Sequence, residues 1–390
     1  MRIPTVDVAV IGASLAGSAT ALHLAHAGVS VAVFDKSSFP RRKACGEGLS
    51  IQGLAELTRL GLGDRVQDCS HVPFYGFRFF EPRHHSEILL RPQIHGIGIR
   101  RFDLDHVLVS ACRESGIELC LGSETHVDTE SDGFIVHNDE GPVRCRYVVL
   151  ATGALSALPQ SLGVPSFSTG RSRCGLSVPL VYSHPHNQSS VDIYIDPGIQ
   201  ACLTPVDQYS STLSLFCSNK LAHHLRPKLR AALIRDVCQR FGIDPKPAEE
   251  PLIVSGLGRT YRSSVRASAF VVGDALRQLD PIGGMGMTQA LVSARVTAHT
   301  ITTILREPRT HQSEIIARHV RSMEHHLRTL AGYTSLTYWS LSTRFGRTIL
   351  GRQKAGGLAR EILLSMHRPS MKRTPVGRIS TLLIQTAGLW

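Results

Sequence analysis

The sequence predicts an α/β protein: a parallel sheet that the chain enters, leaves and re-enters, a second sheet interleaved with it, and a helical extension at the C-terminal end. Three observations predict it. Val6 to Asp35 reads as an apolar strand (Val6, Val8, Val10, Ile11), a turn Gly12-Ala13-Ser14-Leu15-Ala16-Gly17, an alanine-rich helix, and a second strand, Val31 to Phe34, closed by Asp35. Ser166 to Val254 is mainly β, with alternating stretches such as Val191 to Ile195 and Leu213 to Phe216. Ala269-Phe270-Val271-Val272-Gly273-Asp274 then restores a buried strand and a glycine turn, Asp274 lying 239 residues after Asp35. A sheet completed by so distant a strand needs a second unit inserted between its parts.

The first unit has the order of a dinucleotide-binding βαβ motif. Gly12 permits a tight turn out of the strand, Gly17 lets the helix pack closely on the sheet, and the free N–H groups at the helix start suit a pyrophosphate. Asp35, 23 residues after Gly12, stands at the interval where an acid accepts from ribose hydroxyls. The motif departs from the usual pattern at Ser14, whose Cβ narrows the approach of the backbone to a pyrophosphate. Glycine turns of this kind also form for structural reasons, so the unit predicts a nucleotide and leaves its identity open.

After Asp35 comes a polar connection, Lys36 to Lys43, which carries Arg42, and then Ala44-Cys45-Gly46-Glu47-Gly48-Leu49 and a helix to about Leu60. Residues 71–99, with Phe74, Tyr75, Phe77, Phe79 and Phe80, read as strands of another sheet. A helix from Phe102 to about Ser115 follows, with Leu104, Val107, Leu108 and Ala111 at helical spacing. Gly116 to Leu121, Phe134 to His137 and Tyr147 to Ala151 read as strands, and one helix is expected from Lys220 to Phe241. A long helix opens near Gly286 and runs to about Ile304.

With 390 residues, 42% of them hydrophobic and 19% charged, the chain buries a large core. No apolar run reaches the roughly 18 to 20 residues that span a bilayer, and Asp7, Ser18, Thr20, His23 and His26 interrupt any secretory core. Nine cysteines without a C-x-x-C pair form no disulfide framework and fit a reducing cytoplasm. The doublets His84-His85, His223-His224 and His325-His326 lack zinc-type spacing and read as solvated side chains, so no metal is expected.

Residues 331–390 hold nine Lys or Arg (Arg344, Arg347, Arg352, Lys354, Arg360, Arg368, Lys372, Arg373, Arg378) and one acid, Glu361, which gives this segment +8 of the formal +12. Interleaved apolar residues make two readings equal: a peripheral contact with an anionic membrane face, or a helical extension packed on the body. No module accompanies the charge that would point to nucleic acid.

Three further segments stand where a long cofactor reaches. Arg101, ahead of a helix, offers a fixed positive charge, though a surface arginine reads equally well. Val148 to Gly153 is an apolar strand ending in small residues. The most telling segment is Gly273-Asp274-Ala275, then Asp280-Pro281-Ile282-Gly283-Gly284-Met285-Gly286-Met287-Thr288 at the mouth of the long helix. Asp274 suits a polyol hydroxyl, and the glycine turn presents N–H groups and a positive helix end to developing negative charge, as on a reduced isoalloxazine ring. NAD does not need this second site.

In these segments the chain resembles FAD-dependent monooxygenases of the p-hydroxybenzoate hydroxylase type and the related geranylgeranyl reductases, over nearly its whole length to about residue 305. The resemblance implies a Rossmann-like FAD-binding domain (residues 1–70, 96–165 and 255–305), an interleaved α+β substrate domain (71–95 and 166–254) and a basic C-terminal helical region (306–390). It implies FAD contacts by Gly12, Ser14, Ala16, Gly17, Asp35, Lys36, Arg42, Cys45, Gly46, Arg101, Gly153, Gly273, Asp274, Pro281, Gly284, Met285, Gly286 and Met287. Lys43 to Leu49 resembles the C-G-E segment of the reductase branch. Two features depart from the pattern. Thr152-Gly153 replaces an Asp-Gly pair, which unsettles NAD(P)H handling, and Thr288 replaces an asparagine. The halogenase W-x-W-x-I-P signature is absent, the only tryptophans being Trp339 and Trp390.

The resulting expectation is an FAD monooxygenase that uses NADH or NADPH and O₂ to hydroxylate or epoxidise an apolar aromatic, prenylated or polyketide-derived secondary metabolite. Pro281 to Gly286 would tune the flavin, with Arg277 and Asp280 near the ring; a structural ion pair or solvated loop explains those two side chains equally. Cys45 and Glu47 read as cavity-facing or as turn-forming. The leading alternative is a reductase that saturates isoprenoid double bonds. A non-enzymatic, membrane-peripheral protein that keeps the flavin fold is a third reading, and a nicotinamide-only dehydrogenase leaves Gly273 to Gly286 unexplained.

Overall fold

The computed structural model describes residues 3–80, 85–89, 95–168, 172–186, 188–196, 198–224, 226–258 and 260–342. The basic residues from Arg344 onward lie outside them.

Thr5–Ile11 (β1), Val31–Asp35 (β2), Glu118–Leu121 (β3), Gly141–Leu150 (β4) and Ala269–Val271 (β5) form the parallel part of the first sheet, in the order β5-β4-β1-β2-β3. Val8 stands opposite Val31 on one side and Tyr147 on the other, and Val148 opposite Ala269. Where both faces are covered, these strands run apolar at consecutive positions, as in Val8–Ile11, Val31–Phe34, Tyr147–Leu150 and Ala269–Val271. On one face Val8, Val10, Val33 and Val149 meet the helices Leu15–His26 (α1), Arg101–Glu114 (α2) and Gly286–Arg306 (α3). On the other, Ala9, Ile11, Phe34 and Leu150 share a core with the hairpin His126–Glu130/Gly133–Asn138 and with Met323 and Leu327 of the helix Gln312–Ser342 (α4).

The second sheet runs in the order Lys246–Pro247, Arg173–Val181, Ser210–Ser218, Ile199–Asp207, Val191–Asp196, Gly76–Phe80, His85–Leu89, with Leu252–Leu257 also paired to Arg173–Val181. All its pairings are antiparallel save that of Val191–Asp196 with Gly76–Phe80. Its outer face packs on Ile234, Val237 and Cys238. Its inner face presents Phe79, Val191 and Ile193 to Ile282, which stands on the loop between β5 and α3. This sheet roofs the C-terminal ends of the parallel strands, where ligands of open α/β sheets bind.

Two expected elements differ. The helix expected from Lys220 to Phe241 is two, Asn219–His224 and Pro227–Arg240. Proline disfavours the helical conformation at the residue before it, and Arg226 is extended at φ −63°, ψ 160°. Within 71–99, His71–Phe74 pairs with Gly96–Ile99, as does Gly48–Leu49, in a small separate sheet, while Gly76–Phe80 joins the roof.

Candidate active site

The first glycine turn is fixed by contacts that leave no room for side chains. A Cβ on Gly17 would lie 1.6 Å from the Gly12 carbonyl oxygen, and one on Gly12, at φ 111°, would lie 2.5 Å from that of Ala151. Asp35 holds the turn from below. Its Oδ2 accepts from Ala13 N at 2.7 Å and its Oδ1 from Ser37 N at 2.8 Å. Ser14, the departure in the motif, has a partner that explains it. Its Oγ donates to Asp105 Oδ2 at 2.8 Å and accepts from Arg101 Nη2 at 2.9 Å, and the same Nη2 reaches Asp105 Oδ1 at 2.8 Å. All three groups are buried. Burial, the largest single influence, works against the Arg101 charge, but Asp105 first and then Cys45 together outweigh it and hold the guanidinium more firmly protonated than a free arginine.

The second turn is fastened to α3. Gly273 N donates to Ser293 Oγ at 3.0 Å, while Gln289 Nε2 donates to the carbonyls of Gly273 (3.0 Å) and Arg277 (2.6 Å). A Cβ on Gly273 would meet Ala16 Cβ at 2.8 Å, so the two glycine turns are in contact. Beyond it, Asp280 Oδ1 accepts from Ile282 N at 3.1 Å to cap the turn Pro281–Gly283, and Gly284 supplies the left-handed step at φ 62°. A Cβ on Gly283 would lie 2.6 Å from Thr334 Oγ1, so α4 braces this loop from behind.

Both turns open on one cavity. Its lining includes Ser14, Ala16, Lys43, Cys45, Gly46, Arg101, Gly153, Asp274, Pro281, Gly284, Gly286 and Met287, with Phe77, Phe79, Ile193 and Phe216 from the roof sheet and Phe74 from the small sheet. Phe74 and Phe77 meet edge to face, with centroids 5.8 Å apart.

Several expected contacts fall elsewhere. Gly12, Gly17, Asp35 and Gly273 shape the wall without lining it. Lys36 is exposed, and Arg42 pairs with Glu249 at 2.5 Å and donates to the Glu250 carbonyl at 2.8 Å. Met285 is buried with Leu279 and Leu330 in a cluster of its own. Neither Arg277 nor Asp280, expected beside the ring, lines the cavity. Arg277 lies over the Tyr261 ring at 5.2 Å, and Asp280 pairs with Arg173 at 2.9 Å. For Asp280 the structural ion pair is what the fold contains.

Lys43 is the cation that sequence reasoning missed. It lines the cavity, and among the described residues its ammonium enters no ion pair. Burial, and then the Arg101 charge, pulls its pKa below the ordinary lysine value. Burial likewise pushes the Cys45 thiol and the Glu47 carboxyl up, so both favour the protonated form more than free side chains do.

These features fit FAD. The glycine cradle admits close backbone approach, the start of α1 offers N–H groups for a pyrophosphate, Lys43 and Arg101 supply positive charge beside it, and Asp274 provides an acceptor for a polyol hydroxyl. No cluster of three or more metal-ligating side chains occurs among the described residues.

Comparison with known proteins agrees. Residues 5–313 match the family model described as an FAD binding domain. Menaquinone reductase of Mycobacterium tuberculosis is 34% identical over 164 residues, which are 40% of this chain and 40% of that protein, so the match spans well under half of either. Squalene epoxidase 3 of Arabidopsis thaliana is 26% identical over 322 residues, 73% of this chain and 58% of that one. The flavin-dependent brominase Bmp2 superposes with a TM-score of 0.82 at 16% identity, covering 98% of this chain and 99% of its own, and so shares the fold. With more than half of its length matched, this chain belongs to the FAD-binding domain family of flavin-dependent oxidoreductases.

Proposed function

We propose that the protein is an FAD-dependent monooxygenase that takes reducing equivalents from NADH or NADPH and inserts one oxygen of O₂ into an apolar, unsaturated substrate of aromatic, prenylated or polyketide-derived character. The observation that carries this reading is the continuity of one cavity from the two glycine turns to the aromatic roof. Bound FAD supplies the redox chemistry. The chain's part is to hold an electron-rich carbon under Phe74, Phe77, Phe79 and Ile193, to exclude water there, and to present the amide groups of the Pro281–Gly286 loop to negative charge. Squalene epoxidase, by its name an epoxidising enzyme, supports it.

A specific observation favours a second reading, saturation of an isoprenoid double bond. Cys45 and Glu47, both held toward their protonated forms, line the cavity where proton delivery to carbon is needed, and menaquinone reductase, 34% identical over part of this chain, is by name a reductase. Turnover of prenylated quinones and aromatics by the reduced protein, with and without O₂, separates the two. Oxygen-dependent product supports the first reading, and product formed anaerobically overturns it in favour of the second. Failure of NADH and NADPH to bleach the bound flavin under any of these conditions removes both.

The basic segment beyond residue 342 is proposed to bring the enzyme to an anionic membrane face, where an apolar substrate resides. No helix among the described residues is long and apolar enough to cross a membrane. Because Thr334 is packed on Gly283, the informative truncation ends at Ser342. Co-sedimentation with phosphatidylserine vesicles should drop at least about fivefold on truncation, as loss of several basic contacts requires, and equal sedimentation would refute the proposal.

A further inference from the structure

Glu47 stands in a backbone conformation that favours glycine. At φ 58° it is in the left-handed region, which a residue with a Cβ keeps only where its surroundings over-determine it. Four contacts do so. Its Oε1 accepts from Arg101 N at 3.0 Å, its Oε2 accepts from the Thr212 hydroxyl, its backbone carbonyl accepts from Ile99 N at 2.9 Å, and its own N–H donates to Cys45 Sγ at 3.3 Å.

The partners lie in separate parts of the fold. Arg101 N is the first amide of α2, a helix whose N-cap residue Arg100 makes no side-chain capping bond, so Glu47 caps it from 54 residues away. Thr212 belongs to the roof strand Ser210–Ser218. Two more roof hydroxyls hold the same loop, Ser177 and Ser214, which donate to the Cys45 carbonyl at 3.0 and 3.5 Å. From Arg101 the connection continues through its guanidinium to Ser14 in the first glycine turn.

We propose that Glu47 is a positioning residue for the cofactor: by joining the roof strand to the start of α2, it holds Cys45 and Gly46 against the cavity and keeps Arg101 in register with Ser14. This rests on the FAD assignment. The role belongs to the acceptor geometry of the side chain, and neither the shape of the backbone nor a proton carried by the carboxyl replaces it.

The test compares FAD dissociation constants, from flavin fluorescence quenching, and the visible circular dichroism of bound flavin for the wild type, Glu47→Gln, Glu47→Ala, Glu47→Gly and Thr212→Val. Loss of a buried acceptor that serves two donors predicts FAD binding weaker by about tenfold or more in Glu47→Ala, with an altered flavin dichroism. Glu47→Gln, which keeps an acceptor for Arg101 N and a polar partner for Thr212, should stay within about threefold of wild type. Glu47→Gly should fail like Glu47→Ala although it relaxes the backbone. Wild-type affinity in Glu47→Gly would overturn the proposal, because backbone shape alone would then suffice. A loss in Glu47→Gln equal to that in Glu47→Ala would overturn it as well, by assigning the effect to the ionisable carboxyl. If Glu47→Ala does not fold, Glu47→Gln and Thr212→Val decide: near-wild-type binding in the first with a clear loss in the second supports the latch, and any other pattern refutes it. A wild type that binds no FAD at all refutes the cofactor assignment itself, a result distinct from any ranking of the variants.

Discussion

The floor and the roof of the cavity are built by opposite means. At the floor, Gly12, Gly17 and Gly273 bring backbone so close that no Cβ fits, and polar groups meet in the buried set Ser14, Arg101 and Asp105. At the roof, Phe77, Phe79 and Phe216 fill space with side chains, and the polar contacts to the loop below are hydroxyls, Ser177 and Ser214 on the Cys45 carbonyl and Thr212 on the Glu47 carboxyl. A floor made of absent side chains tolerates no additions, whereas a roof made of large ones tolerates graded removal. Substitutions at the floor should therefore abolish cofactor binding, and those at the roof should reshape substrate preference.

The largest effect on cofactor binding is expected at Gly17. With a Cβ 1.6 Å from the Gly12 carbonyl oxygen, Gly17→Val must displace the turn, and FAD titration should show affinity lowered by about a hundredfold or more. Retention of wild-type affinity would break the comparison at its stronger end. Next comes Arg101→Met, which leaves Asp105 buried without its cation. Urea unfolding should register a loss of about 3–5 kcal/mol, and the double variant Arg101→Met/Asp105→Leu should recover part of it.

At the roof, Phe79→Ala should leave the FAD dissociation constant within about twofold while raising KM for a bulky apolar substrate about tenfold, the value of one lost aromatic contact. Equal damage to both constants would show that the two halves do not act separately. The last effect lies outside the cavity and emerges only in acid. His319, buried between α3 and α4 with its Nδ1 3.1 Å from Thr300 Oγ1, has its pKa lowered by burial from 6.5 to about 4. The unfolded chain takes up this proton first, so stability is full above pH 6.5 and falls by up to about 3 kcal/mol as pH drops toward 4. Thermal melts should show this slope, and His319→Gln should flatten it.

The glycine turns, the parallel strands and α3 were legible because their signals are local: apolar runs, glycine at fixed offsets, and helical periodicity. What escaped has its cause far along the chain. Ser14 looked like a flaw in the motif, and its partner Asp105 is 91 residues away. Lys36, Arg42 and Lys43 are indistinguishable as charges in a polar connection, and only the fold sends Arg42 to Glu249 and Lys43 to the cavity. Arg277 and Asp280 occupy a motif loop, yet Tyr261 and Arg173 claim their side chains. The break before Pro227 was readable from the proline itself.

The most direct measurement is a crystal structure of the chain with FAD bound. It should show the pyrophosphate against the Ser14–Ala16 turn with Lys43 beside it, Asp274 on the polyol, and the ring system along Pro281–Gly286 under the aromatic roof. FAD bound away from either glycine turn, or bound without contact to Asp274, would contradict the account.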